Sequence, residues 1–302
     1  MTEPVVSHIS DTARWVAAYR AIESKRPDAL FHDPFAARLA GARGAEIADK
    51  MQKTMGRMGW PIVVRTKAID DLVMAAVAEG ADRVLNLAAG LDSRPYRLPL
   101  PPSLSWIEAD LSGILDEKER MLRAETPRCR LVRERVDLSL PLARSTFLEA
   151  ALAGASHAIV ITEGLLIYLE DDVVSGLARD LASRRQVRGW ITDLVSPAVL
   201  QMMRRQMNRH LSPDAAMRFA PESGVSFFAP LGWRPAAVRS NFRDALRTNR
   251  LPLLLRPFAL FPEPDPADPG RRPWGAVVRF DRNAIDSDPN HTRGRQEEPL
   301  PA

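Results

Sequence analysis

Val84-Leu85-Asn86-Leu87-Ala88-Ala89-Gly90-Leu91-Asp92-Ser93-Arg94 is the stretch on which the reading of this chain turns. An apolar run breaks at a glycine, and Asp110 closes the next apolar run, Trp106-Ile107-Glu108-Ala109-Asp110. A buried strand that stops at small residues lets its backbone approach a ligand closely. A carboxylate ending the following strand can then accept hydrogen bonds from a pair of ribose hydroxyls. Together they suit a cofactor that contains a nucleoside.

Outward from that turn, strands alternate with helices. Arg83–Ala89, Ser105–Ala109, Arg130–Val136, Ala158–Thr162 and Gly189–Leu194 read as strands; Gly113–Ala124, Thr146–Leu152 and Asp171–Arg185 read as the helices between them. Five apolar strands with crossover helices imply an α/β fold whose parallel sheet is buried on both faces, doubly wound if the crossovers are right-handed. Pro235–Arg239 and Ala276–Phe280 are two further candidate strands. Upstream, residues 10 to 42 are predicted helical, with Trp15, Val16, Tyr19 and Ile22 at helical spacing and a second short helix starting at Asp33-Pro34. Ala45–Met58 places Ile47, Met51, Met55 and Met58 on one face, a stripe read as core. Pro61 opens a helix through Glu79, ended by Gly80. Leu251–Phe261 is apolar but short and broken by prolines, which predicts a buried or lid segment; Pro262–Pro273 reads as a surface loop, and residues 281–302 as a polar, disordered tail.

The turn also discriminates between cofactors. A dinucleotide needs its pyrophosphate caged by glycines at a helix N-terminus. Here Ala88 and Ala89 precede Gly90, Arg94 follows it, and Pro95, Pro99, Pro101 and Pro102 oppose a long helix directly after the turn. A phosphate cradle is lacking, whereas close backbone approach and a downstream carboxylate remain. S-adenosylmethionine, an adenosine joined to an amino acid without phosphate, is favoured over a dinucleotide.

Asn86-Leu87-Ala88-Ala89-Gly90-Leu91-Asp92-Ser93-Arg94-Pro95-Tyr96-Arg97-Leu98 resembles the glycine-rich motif of the leucine carboxyl methyltransferase-like family, which includes bacterial class I methyltransferases, some in polyketide biosynthesis. Four more segments resemble that family in order. They are Asp11-Thr12-Ala13 with Ala18-Tyr19-Arg20-Ala21 and Asp33-Pro34-Phe35-Ala36; Arg65-Thr66-Lys67 with Asp70-Asp71; Thr162-Glu163-Gly164-Leu165-Leu166-Ile167-Tyr168-Leu169; and Leu231-Gly232-Trp233. The resemblance implies a doubly wound, seven-stranded, Rossmann-like class I methyltransferase sheet. It also implies an N-terminal helical cap (residues 1–60), a methyltransferase domain (61–280) and a lid at about 197–230.

Carried over by position, the resemblance implies that Arg65 binds the methionine carboxylate of S-adenosylmethionine and that Gly90 lies under the methionine part. Asp110 would accept the ribose hydroxyls, Asp137 and Leu138 would flank the adenine, and Glu163 would line the junction of cofactor and acceptor. Ala88 departs from the pattern, which often has glycine there. Each residue also has a plainer reading. Arg65 could pair with Asp70 or Asp71 along its helix, and Asp137 could cap a loop. Glu163 sits among apolar neighbours, where a carboxylate is costly to bury without a partner or task. For catalysis the candidates are Glu163, His210 and Arg20, with Arg204 and Arg205 as further candidates for substrate contact.

The expected function is an O-methyltransferase acting on a small-molecule carboxylate or phenol, in polyketide or other secondary metabolism. The alternatives are a protein C-terminal carboxyl methyltransferase and a non-catalytic S-adenosylmethionine-binding module. Composition narrows the rest. The 302 residues carry 42 basic against 38 acidic side chains, a net charge of +4, spread along the chain without the clustered stripe of a nucleic-acid binder. The single cysteine, Cys129, excludes an internal disulfide and a cysteine zinc site. His8, His32, His157, His210 and His291 lack metal-ligand spacing, so no metal is expected. No apolar run is long enough for a membrane span, and Met1-Thr2-Glu3-Pro4 has no signal-peptide character, which predicts a cytoplasmic protein. Abundant alanine and arginine with little lysine suggest a GC-rich bacterial genome.

Overall fold

A computed structural model of the chain describes residues 9–55, 59–207 and 216–283. Its centre is one seven-stranded sheet: β1 (Arg83–Leu87), β2 (Ser105–Asp110), β3 (Arg130–Arg135), β4 (Ala158–Thr162), β5 (Val187–Val195), β6 (Trp233–Ser240) and β7 (Gly275–Arg282), in the order β3-β2-β1-β4-β5-β7-β6. The first five run parallel, and β7 lies antiparallel between β5 and β6. The five predicted parallel strands are all present, with ends shifted by a residue or two, and the two late segments close the sheet.

Alternation along β1 explains the double covering. Val84 points into an apolar layer with Ile69, Leu72 and Val73 of α3 (Trp60–Ala78), whereas Leu85 and Leu87 point into the opposite layer. That layer holds Phe147 and Leu148 of α6 (Pro141–Leu152), Leu177 and Leu181 of α7 (Asp171–Ala182), and Trp190, Phe228 and Trp233. Strand β3 differs from the expectation of burial on both faces. It is the edge strand, and exposed Arg130, Val132 and Glu134 alternate with half-buried Leu131 and Arg133, so one side of the ladder meets water.

The chain leaves β1 towards β2 and β3, then returns to place β4 on the other side of β1. This reversal opens a crevice at the carboxyl ends of β1 and β4, the place where open α/β sheets bind ligands. The helix after β1 is only α4 (Arg94–Arg97), as the prolines require, while α5 (Ser112–Leu122) follows β2. Over the crevice lies α1 (Ile9–Ser24), and α2 (Ala36–Met55) packs against it through Trp15, Tyr19, Leu39, Ile47 and Met51.

Several local expectations are corrected. The N-terminal helix ends at Ser24, and Pro34 precedes the second helix: the amide of Phe35 donates to Asp33 Oδ1 at 3.1 Å, and α2 begins at Ala36. The segments read separately as 34–42 and 45–58 join in α2, across a kink where Gly41 has φ 58°. Ile47 and Met51 are core, while the side chains of Met55 and Met58 lie outside the described residues. The expected lid at 197–230 divides in two. α8 (Pro197–Met207) borders the crevice, but Phe219, Val225 and Phe228 belong to the main core. Strand β7 continues through Arg282, into the expected tail, of which residues 284–302 lie outside the described residues. Of Leu251–Phe261, Leu251 is buried against Val64 and Ala245, and the rest is not. Its 3-10 turn, Leu253–Leu260, has no buried residue. Among the described residues no helix is long and apolar enough to cross a membrane.

Candidate cofactor and acceptor site

At the carboxyl ends of the strands is one cavity of about 1150 Å³. Its lining brings together Arg20, Arg65, Gly90, Asp110, Asp137, Leu138 and Glu163, residues drawn from positions far apart in the chain. His210 lies outside the described residues.

The turn after β1 is built from two left-handed residues, Ala88 at φ 53° and Gly90 at φ 46°. Glycine adopts that region freely, whereas alanine does so at a cost of roughly 1–2 kcal/mol. The glycine expected at 88 from the general pattern would therefore match the backbone, and the methyl group of Ala88 strains it. The turn is pinned across the sheet: the Gly90 amide donates to Asp110 Oδ2 at 2.7 Å, and the Leu111 amide to Asp110 Oδ1 at 2.7 Å. Burial raises the Asp110 carboxyl above its usual range, against the pull of those two amides. It is a partly desolvated acceptor facing the cavity, short of compensating charge.

Arg65 does not pair with Asp70 or Asp71. Its Nε donates to Glu163 Oε1 at 3.1 Å and its Nη1 to Asp193 Oδ2 at 3.0 Å, while Asp193 Oδ1 accepts the Gly164 amide at 2.6 Å. The second oxygen of Glu163 accepts from Arg94 Nη1 at 2.8 Å. Arg94 also reaches Asp70 at 2.7 Å and Asp92 at 2.7 Å, and Arg97 holds both oxygens of Asp70. Arg97 and Arg20 meet at Asp33. In this connected network five carboxylates (Asp33, Asp70, Asp92, Glu163, Asp193) face four guanidiniums (Arg20, Arg65, Arg94, Arg97), an excess of one negative charge. Burial pushes the Glu163 carboxyl up, but Arg94 and Arg65 outweigh it and hold the group below its usual range.

Arg20 borders the cavity, but its Nε is held by Asp33 at 2.9 Å and its Nη2 by the Leu91 carbonyl at 2.6 Å. Those bonds tie α1 to the glycine turn while Arg20 keeps its place in the cavity lining. Arg204 and Arg205, by contrast, are corrected: Arg204 Nε donates to the Met217 carbonyl at 2.7 Å, and neither residue lines the cavity. Asp137 accepts from the amide of Ser139 at 2.9 Å and its hydroxyl at 2.6 Å, so it does cap a loop while bordering the cavity. Asp193 and Arg94 were missed as site residues. Asp193 carried the same signal as Asp110, a carboxylate at the end of an apolar strand. Arg94 carried none, because only the fold shows that its guanidinium is buried.

The leucine carboxyl methyltransferase family matches residues 13–182, more than half of the chain. The chain belongs to that family. It is an S-adenosylmethionine-dependent methyltransferase, and the relatives concur. A protein of Frankia alni provisionally named an S-adenosyl-L-methionine-dependent methyltransferase is 34% identical over 266 residues, covering 80% of this chain and 88% of its own. One of Streptomyces avermitilis with the same provisional name is 33% identical over 239 residues, covering 74% and 80%. In fold, the chain resembles the crystal structure of a duf574 family protein from Streptomyces avermitilis, with TM-score 0.59 and 15% identity over 92% of this chain and 98% of that one. It also resembles a provisionally assigned methyltransferase from Thermobifida fusca, with TM-score 0.58 and 16% identity over 90% and 94%.

The residues present fit the cofactor of this family. The excess negative charge of the network complements the net positive charge of S-adenosylmethionine, and Asp110 offers the under-compensated acceptor that a pair of hydroxyls requires.

Proposed function

We propose that this methyltransferase acts on oxygen, and that its acceptor is a small apolar carboxylic acid. The observation that carries the reading is the state of the cavity's titratable groups. No histidine lines the cavity among the described residues. Glu163 and Asp193 are held in ion pairs with Arg65, Glu263 pairs with Arg243 at 2.7 Å, and Asp110 is engaged by the amides of Gly90 and Leu111 at the cofactor end. Tyr168, also in the lining, is raised by burial above its ordinary value and stays a neutral phenol. A phenol acceptor, with a pKa near 10, would benefit from a poised general base. A carboxylate is already ionised at pH 7 and needs none.

When bound, S-adenosylmethionine supplies a methyl carbon made electrophilic by a cationic sulfur, which departs as a neutral thioether. Asp110 takes the ribose hydroxyls, Asp137 and Leu138 border the adenine, and Gly90 leaves room for the methionine part. Arg65 orients the methionine carboxylate with Nη2, which has no hydrogen bond among the described residues. Glu163 acts as a positioning residue that fixes Arg65 and Arg94 and adds negative potential beside the sulfonium; with two arginines on its oxygens it is a weak proton acceptor. Methyl transfer requires the acceptor oxygen within roughly 3 Å of the methyl carbon, and the apolar part of the wall is the surface that would hold an apolar acceptor there.

The family's name favours a second acceptor, the C-terminal carboxylate of a protein. Incubation of the enzyme with methyl-labelled S-adenosylmethionine and a panel of aliphatic acids, aromatic acids, phenols and leucine-ended peptides tests both. Base-labile label on a free acid is expected. Base-stable label on a phenol would overturn carboxyl methylation, and label on the peptides alone would transfer the reading to a protein substrate.

A further inference from the structure

The cavity of about 1150 Å³ lies above the roughly 300–1,000 Å³ that ligand pockets commonly enclose, and its lining runs from the carboxyl ends of the strands to segments late in the chain. Its wall also includes α9 (Asn241–Arg247), through Phe242 and Leu246, and the apolar segment that follows, through Leu255, Phe258 and Phe261. That segment is the most conspicuous apolar surface described. Leu253 is 74% exposed, Leu254 88%, Phe258 59%, Leu260 88% and Phe261 68%. Five large apolar side chains within nine residues are more than the scattered exposure that needs no explanation.

Phe258 and Phe261 are at once cavity-lining and more than half exposed. The patch is therefore the open edge of the cavity wall, continuous with its interior, and a ligand reaching out of the cavity would cover it. The geometry points to an acceptor with an extended apolar chain: its ionised head lies inside the cavity, and its tail runs out along Leu253–Phe261. The inference rests on the carboxylate reading above and adds the tail. The same continuity explains why these residues remain unburied in a protein whose other core positions are filled. Their partner is the acceptor, and each buried methylene contributes about 0.8 kcal/mol.

The test is calorimetric binding of saturated linear carboxylates of six to sixteen carbons to the full chain, with S-adenosylhomocysteine saturating. Affinity should rise by up to about fourfold per methylene. In Phe258→Ser/Phe261→Ser that slope should flatten while the affinity for S-adenosylhomocysteine and the melting temperature stay unchanged, because both side chains are largely solvent-exposed. A chain-length series without slope in the wild type, or an equal slope in the variant, overturns the inference. So does light scattering that finds a wild-type dimer and a monomeric variant without a change in slope, since the patch would then join two copies of this chain. Failure of S-adenosylhomocysteine to bind would strike the methyl-transfer reading of the site, whereas S-adenosylhomocysteine binding with a flat series strikes only the tail.

Discussion

Arg65 on α3 and Glu163 beyond the end of β4, 98 positions apart, meet through Nε and Oε1 at 3.1 Å in the wall of the cavity. This contact joins the helix preceding the sheet to the strand at which the topology reverses. It also makes the site one electrostatic unit, since Glu163 passes the connection to Arg94 and Arg65 passes it to Asp193.

Arg65→Ala should leave Glu163 and Asp193 without their shared cation. Removing one member of a buried pair costs about 3–5 kcal/mol, and each carboxylate retains another partner here, so about 3 kcal/mol is expected. Urea unfolding would measure the loss, and calorimetry should show weakened S-adenosylhomocysteine binding in the same variant.

Glu163→Gln should differ from the wild type in a pH-dependent way. The folded-state pKa of Glu163 is lowered, so its contribution to stability is present above the unfolded value of about 4.3 and is lost as the pH falls through the folded value. The gap in melting temperature between the two proteins is expected to be full above about pH 5.5 and to narrow towards pH 3. A gap that widens on acidification would contradict the ion-pair geometry.

Asp110 has the opposite sign. Burial raises its carboxyl, so ionisation at neutral pH costs the folded state; Asp110→Asn removes that cost but leaves the amide of Gly90 or of Leu111 without its acceptor, so the variant should melt slightly below the wild type. The same variant should bind S-adenosylhomocysteine about 30- to 100-fold more weakly, through loss of hydrogen bonds to a charged acceptor worth about 1.5–3 kcal/mol each. A variant both destabilised and unchanged in affinity would reassign Asp110 to a purely structural role.

Ala88→Gly should stabilise the protein. The substitution relieves the left-handed strain of Ala88, roughly 1–2 kcal/mol, and costs about 0.5–1 kcal/mol in unfolded-chain entropy. A net gain between about 0 and about 1.5 kcal/mol, read as a small rise in denaturation midpoint, is the expected result.

Much of this protein was determined by its sequence alone. Apolar strands bounded by glycine and proline fixed the five parallel strands, and the prolines after Arg94 limited α4 to one turn. The carboxylate at the end of β2 and the lack of a phosphate cradle pointed to S-adenosylmethionine. These features are local: period, punctuation and residue chemistry survive without knowledge of distant neighbours. The tertiary structure decided what depends on pairing across the chain. It consumed Arg20 in a bond to Asp33 and Leu91, moved Arg65 from its helical neighbours to Glu163 and Asp193, and buried Arg94 among carboxylates. It also left Leu253, Leu254, Phe258 and Leu260 exposed beside the cavity, which overturns the buried alternative for that segment and not the lid one. An ion pair or a buried face requires two partners, and the sequence states only one of them at each position.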